Sequence, residues 1–209
     1  MVKKIVGTGV LLVLALALQA GVKMYTLKSP DGKVKLEVTA GQGIAYSLFY
    51  DGRLLLKPSR IALHTDLPEA DHWENIRITG TKQRHVSETV QAPFYRVKEF
   101  GIDCNELELR LNNGFSLLMR AYNDGVAYRF VAGRKGEMTV VEERAEFNFA
   151  DDFEAYIPYS TNPKDPWNMA FQNFYTKAPL TQYNTELPAF LPLTVDAGAV
   201  KLTLLESDL

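Results

Sequence analysis

A single cysteine, Cys104, stands among 209 residues, so no internal disulfide can form and stability must come from a packed core. Cys104 lies in FGIDCNELEL beside a strand start, where a buried or half-buried structural thiol is the leading reading and a nucleophile the other. Histidine is scarce too. His64, His72 and His85 lack the H-x-x-x-H or paired-cysteine spacing of a zinc site, so structural or surface roles are expected for all three. There is no phosphate-cradling Walker loop, no G-x-G-x-x-G and no G-x-S-x-G. The formal net charge is −2, which removes the basic footprint that nucleic acid would need. Beyond the N-terminus no apolar stripe of helical period runs longer than two turns, and no repeat or low-complexity linker is visible.

What is present is a β pattern. Residues of hydrophobic type make up 46% of the chain, enough for one globular domain with a core. Glu106–Phe130, ELELRLNNGFSLLMRAYNDGVAYRF, reads as three consecutive strands. Leu107, Leu109 and Leu111 alternate with Glu108 and Arg110, the period of a strand with one wet face. Asn112-Asn113-Gly114 and Asn123-Asp124-Gly125 punctuate the run as tight turns, with Gly125 expected in the left-handed conformation. Val34, Leu36 and Val38 alternate with charged neighbours after the Ser29-Pro30-Asp31-Gly32 turn, and Asp51-Gly52 marks a hairpin.

Further strands are expected at Met24–Leu27, Ile44–Tyr50, Arg53–Leu56, Ser59–His64, Ile76–Lys82 and His85–Val90. Others follow at Phe94–Phe100, Met138–Val141, Ala145–Phe149, Pro188–Val195 and Val200–Leu205, with a polar loop over Thr65–Asn75. Many short strands separated by turn signals predict an all-β protein, a sandwich or barrel.

The N-terminus reads as a targeting segment. Lys3 and Lys4 precede the uncharged run Ile5–Leu18, and small residues follow at Ala15, Ala17 and Ala20. The run is shorter than the ~20 residues of a membrane span. Residues 1–20 are therefore expected to be a cleaved signal peptide, with an uncleaved signal anchor as the alternative. The remainder, 21–209, is expected as one domain in the periplasm or secreted. At the other end the chain stops at Glu206-Ser207-Asp208-Leu209 directly after an apolar strand, and a continuing natural chain is expected.

Candidate chemistry is sparse. The acidic groups Glu142-Glu143, Asp151-Asp152-Glu154 and Asp66/Glu69/Asp71 read as solvated carboxylates of turns and loops; a glycosidase pair would need a set separation that spacing alone does not show. Tyr156, Tyr159, Trp167, Phe171, Phe174 and Tyr175 crowd a proline-rich region. Such aromatics can stack on sugar rings, or they can pin a long loop to a sheet; the structural reading is slightly ahead.

The ordered set of motifs carries a resemblance. RAYNDGVAYRF (Arg120–Phe130) resembles the N-terminal domain of glycoside hydrolase family 97. SPDGKVKLEV (Ser29–Val38), CNELELRL (Cys104–Leu111), EFNFADDFEAYIPY (Glu146–Tyr159), LPAFLPLTV (Leu187–Val195) and the closing LLESDL are similar in the same order. The resemblance implies a large antiparallel β-sandwich like that of aldose mutarotases, packed on a (β/α)8 barrel that cleaves α-glucosidic or α-galactosidic bonds. It implies a calcium ion at the active site, with Glu206 matching the one ligand contributed from this side. The barrel is not among these 209 residues, so the resemblance implies no catalytic residue within them. A free-standing carbohydrate-binding module is the alternative; for a third reading, a mutarotase-like enzyme, no convincing set of histidine plus carboxylate is found. Sequencing the exported protein from its N-terminus should read from near Leu18 or Gly21; a retained Met1 on soluble exported protein would contradict the signal peptide.

Overall fold

Why the strand Glu99–Leu111 lies inside its sheet follows from its leucines. In the computed structural model, which describes residues 22–162, 164–165 and 173–206, Leu107, Leu109 and Leu111 all point to one face of this strand and are buried there. The expected signal peptide, together with Pro163, Trp167 and Phe171, lies outside the described residues. β6 (Glu99–Leu111) is flanked by β5 (Ile78–Gln91) and β7 (Phe115–Tyr122), and β8 (Val126–Ala132) completes a four-stranded antiparallel sheet. Cross-strand partners Leu109/Leu117 and Leu107/Met119 share the buried face, so register and burial agree.

A second antiparallel sheet forms from β1 (Lys23–Lys28), β2 (Val34–Gly41), β3 (Gly43–Tyr50), β4 (Arg53–Thr65) and β9 (Val140–Ala145). Val34, Leu36, Val38 and Ala40 are buried at every second position of β2, as the alternation predicts. β1 and β2 lie against β6 and β7, which closes a sandwich. Aromatic side chains run along its side. Tyr46 sits 6.2 Å from Tyr128, Tyr128 6.0 Å from Phe130, and Phe130 5.2 Å from Trp73. The Tyr46 hydroxyl donates to the Glu146 carbonyl at 3.2 Å, and burial pushes its pKa up, so the phenol stays protonated.

Residues up to Asn148 form this unit, and Phe149 onward forms a second compact unit. The second holds a four-stranded antiparallel sheet of β11 (Thr176–Pro179), β10 (Glu154–Ile157), β12 (Leu193–Asp196) and β13 (Lys201–Leu204), in that order. Ala155 and Ile157 of β10 and Val195 of β12 are fully buried. Among the described residues no helix is long and apolar enough to cross a membrane.

Several boundaries differ from the sequence reading, each for a physical reason. The two pieces Arg53–Leu56 and Ser59–His64 are one strand, β4. A register shift opposite Tyr46 and Leu48 accommodates Pro58, which has no N–H to give. Asn148 holds this bulge, its side-chain amide donating to the Pro58 carbonyl at 2.9 Å. Ile76–Lys82 and His85–Val90 likewise merge into β5, because Gln83 and Arg84 keep pairing with Leu107 and Glu106. Phe94–Lys98 is the connection between β5 and β6, with extended pairing resuming at Glu99. Glu142 and Glu143 are in β9 instead of a turn; an edge strand tolerates charges on both faces.

Gly125 is not left-handed. A three-residue loop carries its turn, closed by the Tyr122 N–H donating to the Gly125 carbonyl at 2.8 Å. Asn123 is tied outward, its Oδ1 accepting from the Asp31 N–H at 3.0 Å. The left-handed residue of the meander is Gly114, at φ 87°. Gly133 donates its N–H to the Gly114 carbonyl, and a Cβ on Gly133 would lie 2.7 Å from that oxygen. Gly133→Ala should therefore lower stability by ~1–3 kcal/mol, the usual cost of forcing atoms into a packed site. Gly125→Ala, with nothing within 4 Å of the added atom, should change it by less than ~0.5 kcal/mol. Urea denaturation of both variants checks the pair; equal midpoints would contradict the close approach.

Candidate functional site

Glu206, the residue matched to a calcium ligand, follows β13 with only Leu205 between, and its side chain is exposed. The strand carries it there: Leu193/Leu204 and Thr194/Thr203 pair β13 to β12, with the two threonine hydroxyls 3.1 Å apart. An exposed carboxylate at a strand end suits one oxygen donor of a calcium site. It cannot be a whole site, because calcium takes six to eight oxygens. Among the described residues no three His, Cys, Asp or Glu side chains gather closely enough to hold a metal ion.

The aromatic-rich region is divided in role. Tyr159 is buried, with its ring 5.4 Å from Tyr183 and its hydroxyl accepting from the Asn184 N–H at 2.7 Å. This tyrosine packs a loop, as the structural reading has it. Tyr156 stands on β10 beside Lys177, whose ammonium pairs with Glu154 at 2.7 Å. Phe174 is nearly fully exposed, and the Tyr175 hydroxyl donates to the Pro192 carbonyl at 3.3 Å.

His64 and His85 take polar partners, and His72 is exposed. His64 Nδ1 lies 2.7 Å from Asp71, and His85 lies 3.0 Å from Asp103 and 3.1 Å from the Asn105 amide oxygen. Asp66 and Glu69 are surface carboxylates, the first accepting from the Thr139 N–H and the second paired with Arg134 at 2.7 Å. Cys104 is fully buried, and burial raises its thiol pKa, so it is no thiolate nucleophile.

The charged group that the sequence reading left unmarked is Glu106. Alternation puts it on the face of β6 opposite the leucines, with Glu108 and Arg110, where solvent is expected. Its side chain is instead only 5% exposed. Arg84 on β5 and Arg120 on β7 are its two direct cross-strand partners. Their Nε atoms donate to the two carboxylate oxygens at 2.6 and 2.7 Å. Burial alone would raise the Glu106 pKa, but the two guanidinium hydrogen bonds outweigh it and the net shift is downward. Arg120 is held charged by its hydrogen bonds to Tyr122 and Glu106. The available signal was register: once β5 and β7 are paired to β6, two arginines flank one glutamate. This clamp braces three strands, with each carboxylate oxygen accepting one guanidinium hydrogen bond.

A shallow open cleft of about 350 Å³ lies at the β2–β3 turn, lined in part by Gln42, Arg60, Glu146 and Asn148. Glu146 is committed there to the Arg60 N–H and to Arg144, and these contacts hold its carboxyl below the usual range.

The lowered pKa of Glu106 gives stability that is present above its unfolded value of 4.5 and lost as pH falls through the folded value. Glu106→Gln should cost ~1–3 kcal/mol at pH 7, in the range of a charged hydrogen-bonded group, since both arginines can rehydrate. It should also flatten the loss of stability below pH 4.5. Denaturant midpoints from pH 3 to 7 check this; parallel profiles for wild type and variant would contradict it.

Comparison with known proteins places the chain. The Glycosyl-hydrolase 97 N-terminal family matches residues 27–209. A retaining alpha-galactosidase of Bacteroides thetaiotaomicron is 40% identical over 201 residues, covering 93% of this chain and 30% of that protein. Among solved structures, a glycoside hydrolase family 97 enzyme from Pseudoalteromonas sp., in complex with panose, superposes with a TM-score of 0.66 at 19% identity. It covers 82% of this chain and 26% of that one. A beta-arabinopyranosidase superposes with a TM-score of 0.70 at 23% identity, over 82% of this chain and 29% of that one. Both solved structures support the fold, and the chain spans less than a third of each of these relatives. With 183 consecutive residues matched, 27 to 209, the chain belongs to the Glycosyl-hydrolase 97 N-terminal family.

Proposed function

We propose that the chain is the supporting N-terminal domain of an exported α-glycosidase, working in the periplasm or outside the cell. In this reading it packs on a catalytic (β/α)8 barrel of the same polypeptide. Glu206 supplies one oxygen ligand to a calcium ion shared with that barrel, and the substrates are α-linked saccharides. Calcium there would polarise or position oxygen groups at the active site; the role of this chain is to hold one carboxylate in place. The observation that carries the reading is the family match running through Glu206 to residue 209, joined to a 40% identical relative that is a retaining alpha-galactosidase.

The position of Glu206 supports the reading. A short strand anchored in a four-stranded sheet delivers the side chain to solvent, where a neighbouring domain can complete a coordination shell. The free-standing binding module finds less support, because buried Tyr159 packs on Tyr183 and Tyr156 stands beside a lysine–glutamate pair.

Calorimetric calcium titration of the polypeptide continued through its catalytic domain tests the role of Glu206. Glu206→Gln keeps the side-chain shape and removes one charge. It should weaken calcium binding ~10–100-fold, the scale on which metal sites respond to losing a supporting group, while the sandwich melts unchanged. Equal affinity in the two proteins would remove Glu206 from the site.

A further inference from the structure

β5 and β6 run on together beyond the sheet they belong to. Their pairing extends from Ile78/Leu111 to Gln91/Glu99, whereas β7 pairs with β6 only from Cys104 to Arg110. Ser87–Gln91 and Glu99–Asp103 therefore form a two-stranded arm, closed by residues 92–98. Ala92 N–H donates to the Lys98 carbonyl at 2.7 Å across its base, and Tyr95 N–H to the Ala92 carbonyl at 3.0 Å.

The arm is two-faced. Alternation puts Ser87, Thr89 and Gln91 with Asp103, Gly101 and Glu99 on one side. That side is polar and tied to itself, with Gln91 donating to Glu99 at 2.8 Å and His85 paired to Asp103. The other side carries Val90 opposite Phe100 and Ile102 opposite Glu88, continuing from buried Val86 and Cys104 at the root. Phe94 at the tip is 98% exposed and Tyr95 70% exposed. A two-stranded hairpin is marginal by itself in water, and an arm meant for solvent gains nothing from aromatic residues at its tip.

The shape narrows the occupant. A projecting ridge is the reverse of the concave site that a small saccharide needs, and it suits insertion into a groove of another folded surface. Arg96 and Lys98 flank the tip, so a second copy approaching tip to tip would set like charges together. A partner in the same polypeptide is present at high effective concentration, and relatives carry more than two thirds of their length outside the region matched here.

We infer that the Ser87–Asp103 arm is a docking element: its apolar face and tip seat in an apolar, acid-rimmed groove of the catalytic domain that follows in the same polypeptide. The inference rests on the proposed function only in that such a domain follows; the calcium role of Glu206 is independent of it.

Trypsin reads the arm directly, since it cuts after Arg96 and Lys98. Cleavage there should be fast in the native 209-residue chain. It should be at least tenfold slower in the polypeptide continued through its catalytic domain, and Phe94→Ser with Tyr95→Ser should restore fast cleavage in that longer protein. Equal rates in the two lengths would overturn the inference, as would protection in the 209-residue chain that grows with its concentration, which would assign the arm to a second copy. A stop codon directly after residue 209 would remove both this inference and the domain reading. An unprotected arm in a protein whose calcium affinity still depends on Glu206 would overturn the docking alone. A protected arm with calcium indifferent to Glu206 would uphold the docking and overturn the metal role alone.

Discussion

Everything in the first unit depends on one apolar layer, where β1 and β2 lie against β6 and β7. Leu36, Val38, Leu107, Leu109, Leu117 and Met119 are almost wholly removed from water there. Each such side chain contributes ~1.5–3 kcal/mol by burial, which is why a chain with one buried thiol and no disulfide can hold its shape. The layer also dictates what cannot be inside it. With the leucines of β6 committed to the core face, Glu106 must point the other way, and the strands on either side bring Arg84 and Arg120 to meet it. A buried carboxylate would be costly alone; with a guanidinium on each oxygen it becomes a strut across three strands.

Much of this was legible from the order of residues. Alternation in Val34–Val38 and Leu107–Leu111 located the core faces, because a two-residue period has one structural meaning. Turn chemistry was less decisive. Gly114 and Gly125 both follow an asparagine pair or an Asn-Asp pair, yet only Gly114 is left-handed, and the difference lies in how Tyr122 and Asp31 tie down the second turn. Arg53–Leu56 and Ser59–His64 read as separate strands because local rules do not show that a bulge, held by Asn148 ninety residues on, can carry Pro58 through a sheet.

The site was legible to a lesser degree, for a related reason. Glu106 looks like any solvated glutamate until the register of its neighbours is known. Glu206 gains meaning only from the ordered motifs around it, since a lone exposed carboxylate has no chemistry of its own. The structure thus separates two kinds of charged residue. Glu106, locked by Arg84 and Arg120 inside the sandwich, braces it, while Glu206 is exposed.

In the proposed reading, the two positioned carboxyl groups that glycoside hydrolysis needs belong to the catalytic domain and not to this chain. The most direct measurement is to incubate the purified 209-residue chain with chromogenic α-galactoside and α-glucoside in the presence of calcium. The expected result is no release of chromophore above the buffer rate. Release abolished by a substitution within this chain would contradict a supporting role and place the chemistry among these residues.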